Sequence, residues 1–180
     1  MSMIDSAVGP VVLRAFTPGD RDSLALHANN RNVWLGVRDV FPYPYTVADA
    51  ERFIAYAAKT ENEKIFAVDL GGEVIGAAGL HLKHDVRRLN GEIGYWLGPA
   101  YHNRGIATRI VSRLVTMAFD EYGLLRVYAE VFANNPASGR VLEKNGFALE
   151  ARLKQAIIKD GAVLDLLIYA KINSEWSMQG

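Results

Sequence analysis

Residues 91–115 read GEIGYWLGPAYHNRGIATRIVSRLV, and the fold turns on how this stretch divides. Gly91 to Leu97 alternates as a β-strand does, with Glu92 and Gly94 on one face and Ile93 and Tyr95 on the other. Beyond it, Ile106, Ile110, Leu114, Met117 and Ala118 recur at helical spacing. A helix therefore runs from about Gly105 to Glu121 and stops at Tyr122-Gly123, where glycine suits a C-terminal cap. It begins on glycine, among the weakest helix formers. Either that glycine only turns the chain, or it leaves the first backbone N–H groups open. Those groups lack partners within the helix and carry the positive end of its dipole. An oxyanion such as a phosphate can lie directly on them, with Arg104, Thr108 and Arg109 beside it. Neither G-x-x-x-x-G-K-S/T nor G-x-G-x-x-G after a strand is present, so a phosphate site here is of another kind.

Outward from this stretch the chain alternates strands and helices. Residues 11–16 read as a strand, and Asp20 caps a helix to about Ala28. Residues 29–46 are irregular and aromatic. Thr46-Val47-Ala48-Asp49 resembles a capping box and opens a helix to about Lys59. Ile65 to Leu70 and Glu73 to Leu80 form a hairpin around Gly71-Gly72, and residues 81–90 read as a polar loop. After the helix, Arg126 to Ala133 is a strand, and Asn135-Pro136 begins a short helix ended by Asn145-Gly146. Ala148 to Ile158 and Val163 to Asn173 are two strands around Asp160-Gly161. The order β-α-α-β-β-β-α-β-α-β-β, with no repeat or linker, predicts one α/β domain over residues 1–180 with a mixed sheet.

Composition narrows the function. Twenty basic and twenty acidic residues cancel, which argues against a dedicated nucleic-acid binder. There is no cysteine, hence no disulfide, no thiolate metal site and no Cys nucleophile. His81 and His84 stand three apart without further ligands, so no metal site is expected. No apolar run reaches membrane-spanning length, and MSMIDSAVGP has no leader pattern. The expected location is the cytoplasm.

The stretch 91–115 is similar to the acyl-CoA binding motif of the GNAT family of N-acetyltransferases. The family pattern Gln/Arg-x-x-Gly-x-Gly/Ala falls on His102, Asn103, Arg104, Gly105, Ile106 and Ala107, with His in place of Gln or Arg at its first position. FPYPYTVADAERFI, EIGYWL, NNPASGRVLEKNGF and DLLIYAKI resemble its RimJ/RimL-type subgroup, so the likeness spans nearly the whole chain. The resemblance implies a GNAT fold: a mixed, strongly twisted sheet of six to seven strands flanked by about four helices. It implies acetyl-CoA as co-substrate, with its pyrophosphate on the backbone of Arg104, Gly105, Ile106, Ala107 and Thr108. The pantetheine arm would pair with the 91–97 strand near Trp96 and Leu97, where that strand parts from the next. Asn135 and Ser138 match residues lining the arm and thioester.

The resemblance also assigns chemistry. Many relatives place a Tyr seven residues after the Asn as the acid for the leaving thiolate; here that position is Leu142, and Ser138 is the candidate, with water as the alternative. Glu92 matches a carboxylate that takes the amine proton through water. Residues 29–46 would cover the acceptor, with Trp34, Phe41 and Tyr45 as walls and Arg38 meeting an acidic group; Asp165 is a second carboxylate for binding the amine. The expected reaction is direct attack of a primary amine on acetyl-CoA in a ternary complex. A protein N-terminal α-amine is favoured, since at pH 7 about 10–15% of it is neutral against well under 0.1% of a lysine. A small amine acceptor (polyamine, amino acid or antibiotic), a non-catalytic CoA-binding module and a nucleotide-binding domain are the alternatives. The molecule is expected to be a monomer or homodimer, with no nucleic-acid, membrane or metal partner.

Overall fold

A computed structural model describes residues 2–4 and 10–177, so the leader expectation lies largely outside the described residues. The described strands form one eight-stranded sheet: β1 (Ser2–Ile4), β2 (Val11–Arg14), β3 (Glu63–Leu70), β4 (Glu73–Leu82), β5 (Asn90–Leu97), β6 (Arg126–Phe132), β7 (Ala148–Lys159) and β8 (Ala162–Ile172). Their spatial order is β1-β2-β3-β4-β5-β6-β8-β7. All seven expected strands are present, and β1 adds a short edge strand. Every neighbouring pair is antiparallel except β5 and β6. That pair is parallel because the helix between them carries the chain back across the sheet.

The α-helices are α1 (Arg21–Ala28), α2 (Arg31–Trp34), α3 (Val47–Ala57), α4 (Ile106–Thr116) and α5 (Pro136–Lys144). Four match the sequence; α2 is one turn inside the segment read as irregular. The Thr46 and Asp49 box is formed, Thr46 N–H donating to Asp49 at 2.8 Å and Asp49 N–H to Thr46 at 3.2 Å. The helical segment 106–121 ends in a π-helical turn at Met117–Glu121. β4 runs to Leu82, two residues past its expected end. His81 is thus a strand residue, paired with Glu63 on one side and Glu92 on the other.

Two apolar clusters hold the layers. The larger joins Ile75, Leu80, Ile93, Leu97 and Val127 of the sheet to Ile106, Ile110, Leu114 and Leu142 of α4 and α5. The smaller joins Ala67 and Val74 to Leu24, Ala28, Ala50 and Ile54 of α1 and α3 and to Tyr45, with Phe41 and Trp96 at its rim. Burying a Leu or Ile side chain stabilises by about 1.5–3 kcal/mol, so these faces fix which way each strand turns. The alternation expected for β5 is met. Ile93 and Leu97 lie in the larger cluster, while Glu92, Gly94 and Trp96 look toward the opposite face.

Candidate functional site

The parallel pair does not stay paired. Register between β5 and β6 is kept only at Asn90↔Arg126, Gly91↔Val127 and Glu92↔Tyr128. β5 continues to Leu97 on β4, and β6 continues to Phe132 on β8. From Ile93 and Ala129 onward the strands part, leaving backbone N–H and C=O groups of β5 without a strand on that side. An extended chain with amide groups fits such an edge. A cavity of about 730 Å³ opens over this gap. Its floor is Ile93, Gly94, Tyr95 and Trp96 on one side and Ala129, Glu130, Val131 and Phe132 on the other. Phe53 and Tyr56 of α3, Arg38, Phe41 and Tyr45 of the 29–46 segment, and Asn135 and Ser138 of α5 surround it.

At the C-terminal end of β5, the connection 98–105 leads to α4. Gly105 is the helix N-cap at φ 76°, a left-handed conformation that glycine adopts without strain. No side chain caps the helix, and a Cβ added at Gly105 would meet nothing within 4 Å. The first amides of α4 (Ile106, Ala107, Thr108) are thus left without a side-chain cap, and such amides can hold a pyrophosphate. Arg104 is exposed and lies over the Tyr101 ring at 5.7 Å. His102, for which the sequence offers no role, has its Nε2 2.9 Å from the Leu97 carbonyl, closing the connection on the strand end.

Ser138 sits in the first turn of α5. The Asn135 side chain accepts from its amide at 3.2 Å, which is the capping role its position predicts. Asn135 also lines the cavity and packs against Gly36. The Ser138 hydroxyl lies 2.9 Å from the Tyr95 hydroxyl. Burial pushes the Tyr95 phenol up to about 12, partly offset by the Ser138 bond. Tyr95 was not singled out in the sequence. Strand alternation turns its ring from Glu92 toward the core, and only the parting of β5 and β6 brings its hydroxyl to the cavity.

Glu92 lies in the cavity but is not a free carboxylate. Lys83 Nζ donates to it at 2.6 Å and the Tyr128 hydroxyl at 3.3 Å. Burial pushes its carboxyl up, but the Lys83 bond and charge outweigh that and hold it below the usual carboxylate range. A carboxylate so stabilised is a poor proton acceptor, which corrects its expected part as base. Glu130, unremarked in the sequence, is an exposed residue facing the gap beyond Tyr128 on the same side of β6.

Of the expected acceptor residues, Arg38, Phe41 and Tyr45 line the cavity and two do not. Trp34 stacks on Tyr43 at 5.7 Å and covers Lys159 Nζ at 3.8 Å. Its ring tethers the 29–46 segment to the β7–β8 hairpin, assisted by Lys159–Asp39 at 2.6 Å and an Arg31–Asp160 pair. Asp165 is held by the Gln155 amide at 2.8 Å and Arg152 at 2.5 Å, and both hold its carboxyl below the usual carboxylate range. It braces a strand irregularity in β7 instead of facing the acceptor. The sequence missed both because each requires knowing which hairpin lies beneath the loop.

Residues 11–148 match the model for the acetyltransferase (GNAT) domain. The chain belongs to the GNAT family. It is 37% identical over 98 residues to an uncharacterized N-acetyltransferase, YoaA, of Bacillus subtilis, covering 54% of this chain and 55% of that one. It is 31% identical over 109 residues to the ribosomal-protein-serine acetyltransferase of Escherichia coli, covering 61% and 60%. The chain thus spans little more than half the length of these curated relatives. RimJ of Mycobacterium smegmatis, solved with a CoA disulfide, superposes with a TM-score of 0.84 at 23% identity over 95% of this chain and 86% of that one. β7 and β8, beyond the family match, complete the same sheet.

Proposed function

We propose that this GNAT chain is a single-domain cytoplasmic enzyme transferring acetyl from acetyl-CoA to a primary amine, most simply the N-terminal α-amine of a protein or peptide. The observation that carries it is the parting of β5 from β6 after Glu92 and Tyr128, with a cavity over the gap. The open α4 amides would hold the pyrophosphate, and the unpaired edge of β5 would pair with the arm. The β5 edge also supplies N–H donors for the thioester carbonyl and the negative charge that grows on its oxygen. With no cysteine to carry an acyl group, the amine attacks directly. The Ser138 hydroxyl, backed by Tyr95, supplies a proton to the departing thiolate. Glu92 contributes negative charge that attracts an incoming ammonium.

A protein acceptor, whose α-amine the pKa argument favours, is in keeping with the name of the E. coli relative, a ribosomal-protein-serine acetyltransferase. Asp49, Glu63, Glu92 and Glu130 around the cavity also suit a polyamine. The test is a thiol-release assay with acetyl-CoA against peptides of varied N-terminal residue, free amino acids and spermidine, with acetylated product identified by mass spectrometry. Acetyl-CoA binding without CoA release on any amine would instead identify a binding module.

A further inference from the structure

His81 stands in a polar row that crosses four strands at one level. Register pairs Glu63 of β3 with His81 of β4, His81 with Glu92 of β5, and Glu92 with Tyr128 of β6. The His81 side chain is 23% exposed and lines the cavity. Its Nδ1 lies 3.0 Å from Glu63 Oε1. A carboxylate only accepts, so a hydrogen shared between the two sits on Nδ1. Glu63 is itself fixed by the Tyr56 hydroxyl at 2.7 Å. In the neutral ring the Nε2 lone pair is then free.

Nε2 lies on the cavity side of the sheet. A Cβ placed on Gly79 or Gly94, which are partners across β4 and β5, would lie 3.7 Å or 3.9 Å from Nε2. The ring therefore lies along a strip of sheet left bare by two glycines, and Gly94 is on the parting edge. Nε2 forms no hydrogen bond or ion pair among the described residues.

We infer that His81 is the general base, with Nε2 taking the proton of the acceptor amine directly or through one water while Glu63 holds the tautomer. This rests on the acetyl-transfer reading above. An acceptor enters as R–NH3⁺ and gives one proton to Nε2, which later passes to solvent. The neutral nitrogen attacks the acetyl carbon, the C–N bond forms and the C–S bond breaks. The second amine proton leaves the nitrogen and neutralises the thiolate by way of the Ser138 hydroxyl. The charged and titratable groups around the ring are Glu63, Tyr56, Glu92, Lys83, Tyr128 and Arg38. Glu63 stands behind the ring, where a carboxylate orients a catalytic imidazole.

Two measurements test this. In His81→Gln, kcat/KM for the best acceptor of the amine panel should fall about a hundredfold at pH 7. The acidic limb should vanish from its pH profile, and acetyl-CoA affinity should stay unchanged, which also reports an intact fold. Long-range ¹H–¹⁵N spectra of the wild type at pH 8, assigned by the peaks missing in His81→Gln, should show the Nδ1–H tautomer, moving toward Nε2–H in Glu63→Gln. A wild type holding Nε2–H, or a His81→Gln enzyme within twofold of wild type with its acidic limb intact, overturns the role and leaves acetyl transfer standing. A wild type that binds acetyl-CoA and acetylates no amine overturns both.

Discussion

The Tyr95–Ser138 pair makes the sharpest prediction about the leaving group. Their hydroxyls are 2.9 Å apart, and Tyr95 is pushed up to about 12. Neither titrates between pH 6 and 9.5, so the pair acts as a fixed proton donor. Tyr95→Phe keeps the ring in place and removes the bond to the Ser138 hydroxyl and a longer one, 3.4 Å, to the Ser138 carbonyl; each hydrogen bond contributes about 0.5–1.5 kcal/mol. In a chain of this size a loss of that order lowers Tm by about 1–6 °C. The kinetic effect differs in form. A thiol has a pKa near 8.5, so protonating the leaving sulfur helps at pH 7 and helps little once the medium is more basic. We expect Tyr95→Phe and Ser138→Ala each to lower kcat by about tenfold to a hundredfold at pH 7, the low end of acid–base contributions. The deficit should shrink toward pH 9.5. The double variant should be no slower than the slower single, because both hydroxyls serve one proton path. Rapid-quench single-turnover measurements across pH isolate the chemical step. A pH-independent deficit, or a double variant whose loss is the product of the two single losses, refutes the shared path.

Other perturbations separate backbone geometry from chemistry. Gly105→Ala should cost about 1–2 kcal/mol in thermal unfolding, because its φ of 76° is left-handed, while the open space around it admits the methyl; titration calorimetry should show weaker acetyl-CoA binding. Gly76→Ala should prevent stable folding, read by circular dichroism, since its Cβ would overlap the Trp96 carbonyl. Gly94→Ala meets only His81 at ordinary contact distance and should keep Tm within about 2 °C while lowering kcat/KM. Asp165→Asn should leave acceptor kinetics unchanged, and an increased KM for the amine would restore it to the site. Asp20 is buried, which pushes its carboxyl up, but two Arg14 bonds at 2.7 and 2.8 Å and the Thr17 amide outweigh that and lower it. A depressed carboxylate stabilises above its unfolded value and loses that contribution as pH falls through the folded one. Asp20→Asn should therefore destabilise at pH 7, by about 2–4 kcal/mol for a broken buried pair, and the gap to wild type should narrow below about pH 4 in denaturant titrations.

The framework was legible because it rests on local rules. Period-two and helical spacings marked seven strands and four helices. Thr46 with Asp49, and Asn135 with Pro136, marked two helix starts. What was lost lies where a neighbour decides the outcome. The sequence of β4 after Leu80 is polar, and propensity ends the strand there; pairing with Glu63 and Glu92 carries it through His81. Residues 29–46 have no period, so nothing local told which aromatic rings face the acceptor and which clamp the hairpin. Phe41 and Tyr45 pack beside Trp96, and Trp34 turns away only because Lys159 lies under it.

The same limit governs the chemistry. A sequence motif reports residues whose spacing along one chain segment matters, and the α4 entry is of that kind: Gly105, Ala107 and the amides between them are contiguous. The proton path is not. Glu63, His81, Glu92 and Tyr128 are distant in sequence and meet only through strand register, so no spacing rule joins them. Read singly, Glu92 was a free carboxylate beside a cofactor motif and His81 a loop histidine. Register reverses both: Lys83, two residues past His81 on the same face, takes up Glu92, while Glu63 orients His81 and leaves its Nε2 over two glycines. Moving the lysine should test this division without touching the histidine. Lys83→Met frees Glu92, and burial then raises its carboxyl toward the range where it can accept a proton. If His81 is the base, the freed carboxylate should rescue part of the rate lost in His81→Gln, so the double variant should outpace the single. A double variant slower than His81→Gln by the full factor that Lys83→Met costs the wild type would show that Glu92 cannot take over the proton, and that the row does not work as one site.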